Sequence, residues 1–310
     1  VAQDRVLKAV YASVLGHLYA EKSLTAGAEA AQKSREMYAA SLADMPLLAK
    51  TESEDYSPAL VSGEDSRIFY GDLLHVLGME AKAYGKLRDY YAAHNNRPAA
   101  CIFAAKALAA EKPEVVAKAR KSRYVQRIDS LITAYGDLRE AGELAVMHYN
   151  AIGDADDITA EDKVNYINYA LSRWGAWPRM NILRNALSDL QQPSFAINIG
   201  DAMMLPGVER TLRINGIRNV NELTINVYRV KAAGNADIDP TTAKGYAKMK
   251  DLVVPGAVFT ATRRYIGQPA WKENTDTINI KGLPVGVYLI EATTGTPDIE
   301  VQRELLYVSN

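Results

Sequence analysis

The sequence predicts a chain of two parts, α-helical and then all-β. Residues 1–192 read as a solenoid-like array of helix-turn-helix pairs of tetratricopeptide or HEAT type. Residues 193–310 read as a seven-stranded immunoglobulin-like β-sandwich. Three observations carry this division: a shift in composition, a change of hydrophobic period and an internal spacing. Residues 1–190 hold 35 Ala and 4 Thr, whereas residues 191–310 hold 11 of each. Alanine loses no side-chain entropy in a helix, while threonine fits the pleated surface of a strand. The shift falls at Gln191-Gln192-Pro193, where a helical pattern meets a proline that cannot continue it.

Taken in order, Val6, Val10, Val14 and Leu18 recur four apart and form one apolar helix face. Ser23-Leu24-Thr25 reads as a break, and Ala26–Leu42 as a second helix. Pro46 and then Pro58–Gly63 mark a connecting loop. Further helices are expected at Leu73–Ala93, Pro98–Ala110, Glu114–Tyr135, Leu138–Ala151, Ala160–Trp174 and Pro178–Leu190. Pro98 and Pro178 stand near helix starts, where a missing N–H costs little. The turns at Asn96, Gly136 and Gly175 follow one another at intervals of 40 and 39 residues. Around them Ala134-Tyr135-Gly136-Asp137-Leu138 resembles Arg173-Trp174-Gly175-Ala176-Trp177. A hairpin that cannot bury its own apolar face must stack on a neighbour, hence the solenoid.

Seven strands are expected at Phe195–Gly200, Val208–Asn215, Leu223–Val230, Val258–Ile266, Thr275–Lys281, Val287–Thr293 and Glu304–Ser309. Leu223, Ile225 and Val227 alternate with Thr224, Asn226 and Tyr228, the period of a half-buried strand. Gly286-Val287-Tyr288 has the form of a tyrosine corner, with Ile290 where an antibody domain carries cysteine. Ala232–Asp251 reads as a long surface insertion with a short helix near Thr242–Lys250.

Composition excludes several functions. The 36 Lys+Arg against 37 Asp+Glu give a net charge of -1, without the basic excess of a nucleic-acid binder. One cysteine, Cys101, allows neither a disulfide framework nor a cysteine-built metal site. No run reaches the roughly 18 apolar residues of a membrane span; the best, Ala99–Ala110, is broken by Lys106. Asp4, Arg5 and Lys8 interrupt the N-terminus too early for a signal peptide.

Catalytic chemistry is hard to assemble. His17, His75, His94 and His148 lie far apart, without the i,i+4 pairing of a helical metal site. His75 follows Asp72 by three residues, the one acid–base pair in view and the only support for a hydrolase. Cys101, among Ala99, Ala100, Ile102 and Phe103, reads as a small buried hydrophobe. Asp154, Asp156 and Asp157 form an acidic loop without EF-hand spacing, so a solvated helix entry is the simpler reading. No phosphate loop, dinucleotide fingerprint or nucleophile elbow is present, and no cofactor is expected. Lys112, Lys118, Arg120, Lys121, Arg123 and Arg127 form a basic cluster at helical spacing, a solvated face or a partner site. Of the 18 tyrosines, 13 precede residue 191, filling helix interfaces or stacking on a peptide or glycan. The residues assigned to partner binding are Tyr90, Tyr91, Arg120, Arg123 and Arg127.

Several stretches resemble a known family. They are Asp55–Val61, Ser62–Phe69, Gly71–Val76, Asp89-Tyr90-Tyr91 and Asn96–Ala100 in the helical part. In the strand part they are Ile217–Val220, Leu223, Val227-Tyr228-Arg229, Leu283–Leu289 and Glu304–Ser309. Their order is similar to the front of large bacterial alpha-2-macroglobulin family proteins, a helical region followed by a macroglobulin-like sandwich ending on a Tyr-Val-Ser strand. The resemblance implies an exported protein, periplasmic or at the cell surface, anchored to the membrane in one form through a removed N-terminal segment. It also implies that this chain is the front of a far longer protease-trapping inhibitor. The family's thioester sits in Cys-x-Glu-Gln, and Cys101 is followed by Ile102-Phe103-Ala104, so Cys101 is not that residue. The expected role is a non-catalytic scaffold whose partners are other domains of the same chain, a protein partner or a target protease. The alternative is a cell-surface adaptor holding peptide or glycan in a helical groove.

Overall fold

A computed structural model describes residues 2–57, 66–111, 118–153, 155–231, 239–268, 271–295 and 299–310. The chain is helical to residue 191 and forms β-sheets thereafter. It divides into two compact units, Val1–Ile158 with Tyr166–Arg184, and Thr159–Asn165 with Asn185–Asn310. Of the sequence expectations, the loop Pro58–Gly63, the family-like residues 58–65, Lys112, the helix start at Glu114, Asp154 and the first part of the 232–251 insertion fall outside the described residues.

The helices are α1 (Ala2–Ala26), α2 (Ala28–Ser41), α3 (Met45–Leu48), α4 (Leu73–Glu80), α5 (Tyr84–Ala93), α6 (Arg97–Ala110), α7 (Arg123–Tyr135), α8 (Ala141–Ile152), α9 (Ala160–Trp174) and α10 (Asn181–Gln191). The expected break at Ser23–Thr25 lies two residues later. Ser23 turns its hydroxyl back to the Ala20 carbonyl, which keeps it helical, and Gly27 takes the left-handed backbone (φ 77°) that ends α1. Only Val6 and Val10 of the predicted apolar face are buried; Val14 and Leu18 are 40% and 53% exposed. The single helix expected over Leu73–Ala93 is two, because Lys82 adopts φ 50° between α4 and α5. Helix α6 is buried on nearly every side, from Ala99 through Ala105 and again at Leu108. Its small residues let neighbouring helices close in around it. Asn96 caps it, accepting the Ala99 amide at 3.1 Å and donating to the Ile68 carbonyl at 3.0 Å.

The 40-residue spacing has a physical basis. Arg97, at the start of α6, donates to the Ala134 carbonyl at 3.0 Å and pairs with Asp137 at the next turn. Trp174 in turn donates its indole N–H to the Gly136 carbonyl at 3.0 Å. Arg184 continues the series to the Gly175 carbonyl at 2.6 Å. The turns at Gly136 and Gly175 thus have open carbonyls satisfied by side chains from elsewhere in the helical unit, a need of every helix end. Gly142 is required by a close approach: a Cβ there would lie 2.6 Å from that of Trp177.

The strands are β1 (Ser194–Asn198), β2 (Met203–Met204), β3 (Arg210–Arg218), β4 (Glu222–Val230), β5 (Phe259–Arg264), β6 (Asn274–Ile280), β7 (Gly286–Thr293) and β8 (Gln302–Val308). The seven expected strands are joined by the short β2. They form a three-stranded sheet, β1-β3-β6, and a five-stranded sheet, β2-β8-β7-β4-β5. Every pairing is antiparallel except β2 with β8. The two sheets share one core, in which Leu212, Ile214 and Ile280 of the first meet Leu223, Ile225 and Ile290 of the second.

The insertion after β4 does more than cover surface. Its helix α11 (Ala243–Met249), capped by Thr242, sinks Met249 against Val230, Val287 and Leu289 on the outer face of the larger sheet. Strand β7 is therefore apolar on both sides, Tyr288 and Ile290 inward and Val287 and Leu289 outward. Arg303 seals the edge, its guanidinium 3.7 Å from the Tyr246 ring centre and paired with Glu291 at 2.8 Å. At the start of the unit, Asn219 (φ 55°) donates its amide to the Leu190 and Gln191 carbonyls at 3.0 and 3.1 Å, closing the end of α10.

Tyr288, 1% exposed, donates its hydroxyl to the Pro284 carbonyl at 2.8 Å. Tyr288→Phe leaves that carbonyl bare and should cost about 1 kcal/mol. Urea unfolding followed by near-UV circular dichroism will show the transition of the β unit moving to lower denaturant with an unchanged slope.

Candidate functional site

The residues that look catalytic in the sequence are occupied in holding the helices. The Asp72 carboxylate, 5% exposed, caps α4 by accepting the His75 amide at 2.8 Å. It also accepts His75 Nδ1 at 3.1 Å and the Tyr91 hydroxyl at 2.8–2.9 Å. Burial, and then the Asp72 charge, push the Tyr91 hydroxyl far above its ordinary pKa, so it stays a donor. Phe69 stacks on the His75 ring at 4.7 Å, and Phe103 on Tyr91 at 5.6 Å. His75 is 4% exposed and its Nε2 meets no partner among the described residues. The pair lines none of the cavities described below. This arrangement positions helices and leaves no room for a reacting substrate.

The other chemical candidates resolve similarly. Cys101 is fully buried, and burial, followed by the charges of Glu140 and Glu143, pushes its thiol up to about 12. It is an inert thiol. His148 stacks on Tyr166 at 4.4 Å and bonds Asp129 through Nε2 at 3.1 Å, while its buried Nδ1 has no partner among the described residues. Burial lowers its pKa, and the Asp129 charge opposes that only in part. Asp157 of the acidic loop commits its carboxylate to the Ala119 and Arg120 amides at 2.7 and 3.2 Å, while Asp156 is exposed. No cluster of three metal-ligating side chains occurs among the described residues.

The five residues assigned to partner binding do not form one surface. Tyr91 is 3% exposed and belongs to the Asp72 network, which corrects its assignment as a contact residue. Its neighbour Tyr90 is half-buried and stacks on His94 at 4.1 Å. Arg120 and Arg123 are exposed near the start of α7. Arg127, one turn further, reaches a groove of about 210 Å³ between α5, α6 and α7. Ala104, Ala107, Leu108 and Leu131 make its apolar floor; Arg88, Glu111 and Arg127 stand at its rim. Arg127 grips Glu111 with both guanidinium nitrogens, one at 2.8 Å, and this contact holds the Glu111 carboxyl below its usual pKa. Arg88 is turned toward Asp89 at 2.8 Å. Enclosed small-molecule sites measure about 300–1,000 Å³. A smaller, half-open groove suits one apolar side chain of a protein segment, with polar contacts at its edge. Arg88 and Glu111 were not legible in the sequence, because α5, α6 and α7 meet only through the tertiary fold.

No family model and no curated protein matches the chain. Among solved structures it is similar to a superoxide reductase (neelaredoxin) from Ignicoccus hospitalis. That likeness has 11% identity, covers 40% of this chain and 87% of the other, and has a TM-score of 0.23. It is also similar to the soluble domain of PmoD from Methylocystis sp. ATCC 49242 (Rockwell), at 12% identity over 37% and 89%, TM-score 0.21. A third likeness, to the Pseudomonas fluorescens alkylpurine DNA glycosylase AlkC bound to DNA containing an abasic site analogue, spans 99% of both chains at 12% identity, TM-score 0.21. Likenesses of this size define no chemistry. No helix among the described residues is long and apolar enough to cross a membrane.

Two outcomes test the structural roles. Asp72→Ala removes a cap and strands two buried donors, so it should cost about 3 kcal/mol or more, against roughly half that for Asp72→Asn; far-UV circular dichroism during urea unfolding gives both values. Because the native fold disfavours charged His148, the unfolded chain takes up that proton first as pH falls below about 6.5. Stability is complete above that value and declines below it. Unfolding midpoints between pH 7.5 and 5.5 should fall for the parent chain and fall less for His148→Phe.

Proposed function

We propose that this chain is a non-catalytic interaction scaffold, and that the α5–α6–α7 groove receives an apolar side chain of a protein segment. The groove itself carries the reading: a concave apolar floor, partly open at Ala107 and Leu131, with Arg88 and the Arg127–Glu111 pair at its rim. The employment of Asp72, His75, Tyr91 and Cys101 in packing supports the same conclusion, since among the described residues no nucleophile and base meet at a cavity.

Finer assignments follow in the same spirit. The bonds of Arg97 and Trp174 to carbonyls of the Gly136 turn support a tetratricopeptide- or HEAT-like array. The strand order, the parallel β2–β8 pairing and the Tyr288 bond to Pro284 support an immunoglobulin-like sandwich. The resemblance to the front of an alpha-2-macroglobulin-like protein makes the scaffold part of an exported protease trap. This narrower reading rests on the short stretches Gly71–Val76, Leu283–Leu289 and Glu304–Ser309 and the others quoted with them, and on the order of a helical and a β part. The rival reading, a cell-surface adaptor for peptide or glycan, uses the same groove.

Peptides selected by phage display against the intact chain should bind in the micromolar range and lose at least about tenfold on Leu131→Glu, which puts a charge into the groove floor. Binding indifferent to Leu131→Glu would remove the groove from the account. Ester or glycoside turnover abolished by His75→Gln in a folded variant would remove the non-catalytic reading altogether. For the trap, a full-length protein containing this chain should block trypsin from a large protein substrate and leave cleavage of a small chromogenic one unchanged.

A further inference from the structure

We infer that one end of the β unit holds a binding site for a neutral polyhydroxylated ligand, a single sugar residue of a glycan. The site is a cavity of about 300 Å³, separate from the helical groove. That volume stands at the lower bound of small-molecule pockets, of about 300–1,000 Å³, and accommodates one six-membered ring.

The lining selects the ligand class. Four carboxamides surround the cavity: Asn219, Asn221, Gln268 and Asn274. A carboxamide offers two N–H donors and a carbonyl acceptor, and a sugar hydroxyl both donates and accepts, so the two match without any net charge. Lys272 is the one charged side chain in the lining, and no carboxylate joins it. A cation therefore finds no counter-charge there, and an anion finds a single lysine. Ile217, Val220 and Tyr265, which belong to the core of the β unit, close the cavity from behind.

Two of these four side chains are not taken up by the fold. Asn221 and Gln268 are exposed, and their side chains make no hydrogen bond among the described residues. Asn219 uses its amide nitrogen on the Leu190 and Gln191 carbonyls, which fixes the side chain, and its Oδ1 has no partner among the described residues. Asn274 makes only a long bond, 3.4 Å from Nδ2 to the Lys272 carbonyl, and its Oδ1 is likewise open.

The walls are held in place without a ligand. Ile217 and Asn274 are cross-strand partners of β3 and β6. Tyr265, 8% exposed, donates its amide to the Asn221 carbonyl at 2.8 Å and its hydroxyl to Asp276 at 3.1 Å. Asn219 and Gly267 both take the left-handed backbone, φ 55° and 80°, and so turn the chain sharply on either side of the cavity. A preformed wall reduces the ordering cost of binding.

The test is isothermal titration calorimetry of the intact chain with methyl α-D-glucopyranoside, methyl α-D-mannopyranoside, methyl β-D-galactopyranoside and methyl N-acetyl-β-D-glucosaminide, with saturation-transfer NMR as a second readout. At least one should bind one-to-one at millimolar concentration. The double substitution Asn221→Ala, Gln268→Ala should weaken it about tenfold or more, with an unchanged melting temperature, because neither side chain supports the fold. The inference is overturned if none of the four saturates the protein, or if binding is unaffected by the double substitution. It is equally overturned if inorganic phosphate displaces the sugar and Lys272→Ala abolishes that competition, since the site would then be one for anions. Leu131→Glu leaves this site untouched, so its outcome and that of the groove experiment are independent.

Discussion

A carboxylate taken out of water must be compensated, and the compensation of Asp72 orders the centre of the helical unit. Its two oxygens accept from the His75 amide, the His75 ring and the Tyr91 hydroxyl, joining the start of α4 to the end of α5. Helix α4 is only eight residues long, too short to persist alone in water. Six of those residues, Leu73 through Gly78, are buried. The cap and the phenolic bond are what allow so short and apolar a segment to take a fixed place beneath Phe69 and Phe103. An acid beside a histidine resembles acid–base machinery in sequence, and here the same pair is a joint.

The β unit meets a comparable problem with a different device. A sheet has two faces, and β7 is apolar on both. The inner face is covered by the opposing sheet. The outer one would leave Val287 and Leu289 in water, and the insertion after β4 returns α11 over them. Arg303, stacked on Tyr246 and paired with Glu291, closes the margin of this second small core. The Tyr288 bond to Pro284 then fixes how the chain enters β7. Both units thus commit their unusual residues to architecture. Among the described residues, the groove by α6 and the carboxamide-lined cavity beside Tyr265 are two places where side chains face open space.

Local patterns announced most of the architecture. The alternation of Leu223, Ile225 and Val227 with polar neighbours located β4, and the short helix expected near Thr242–Lys250 is α11. At two of the regularly spaced turns, Gly136 and Gly175, the side chains of Arg97, Trp174 and Arg184 meet the backbone carbonyls. Strand β2, two methionines long, is too short to have a period at all. The split between α4 and α5 rests on a lysine in a left-handed conformation, which no propensity scale marks. The candidate site was the least legible part. Tyr91 reads as an exposed aromatic beside Tyr90 until the fold brings Asp72, nineteen residues earlier, onto its hydroxyl. Arg127 reads as a free cation until Glu111, sixteen residues earlier, meets it across the groove. Helical spacing shows which residues share a face and does not show what that face meets.

The most direct test of the structural role assigned to the Asp72 network is native-state amide hydrogen exchange on the intact chain. If the network holds α4 in place, the amides of Val76 and Leu77 will be among the last of the helical unit to exchange, together with those of α6, far slower than an isolated eight-residue helix allows. Exchange of Val76 and Leu77 at the rate of unstructured peptide, with α6 still protected, would contradict it. Asp72, His75 and Tyr91 would then be free of the structural duty assigned to them.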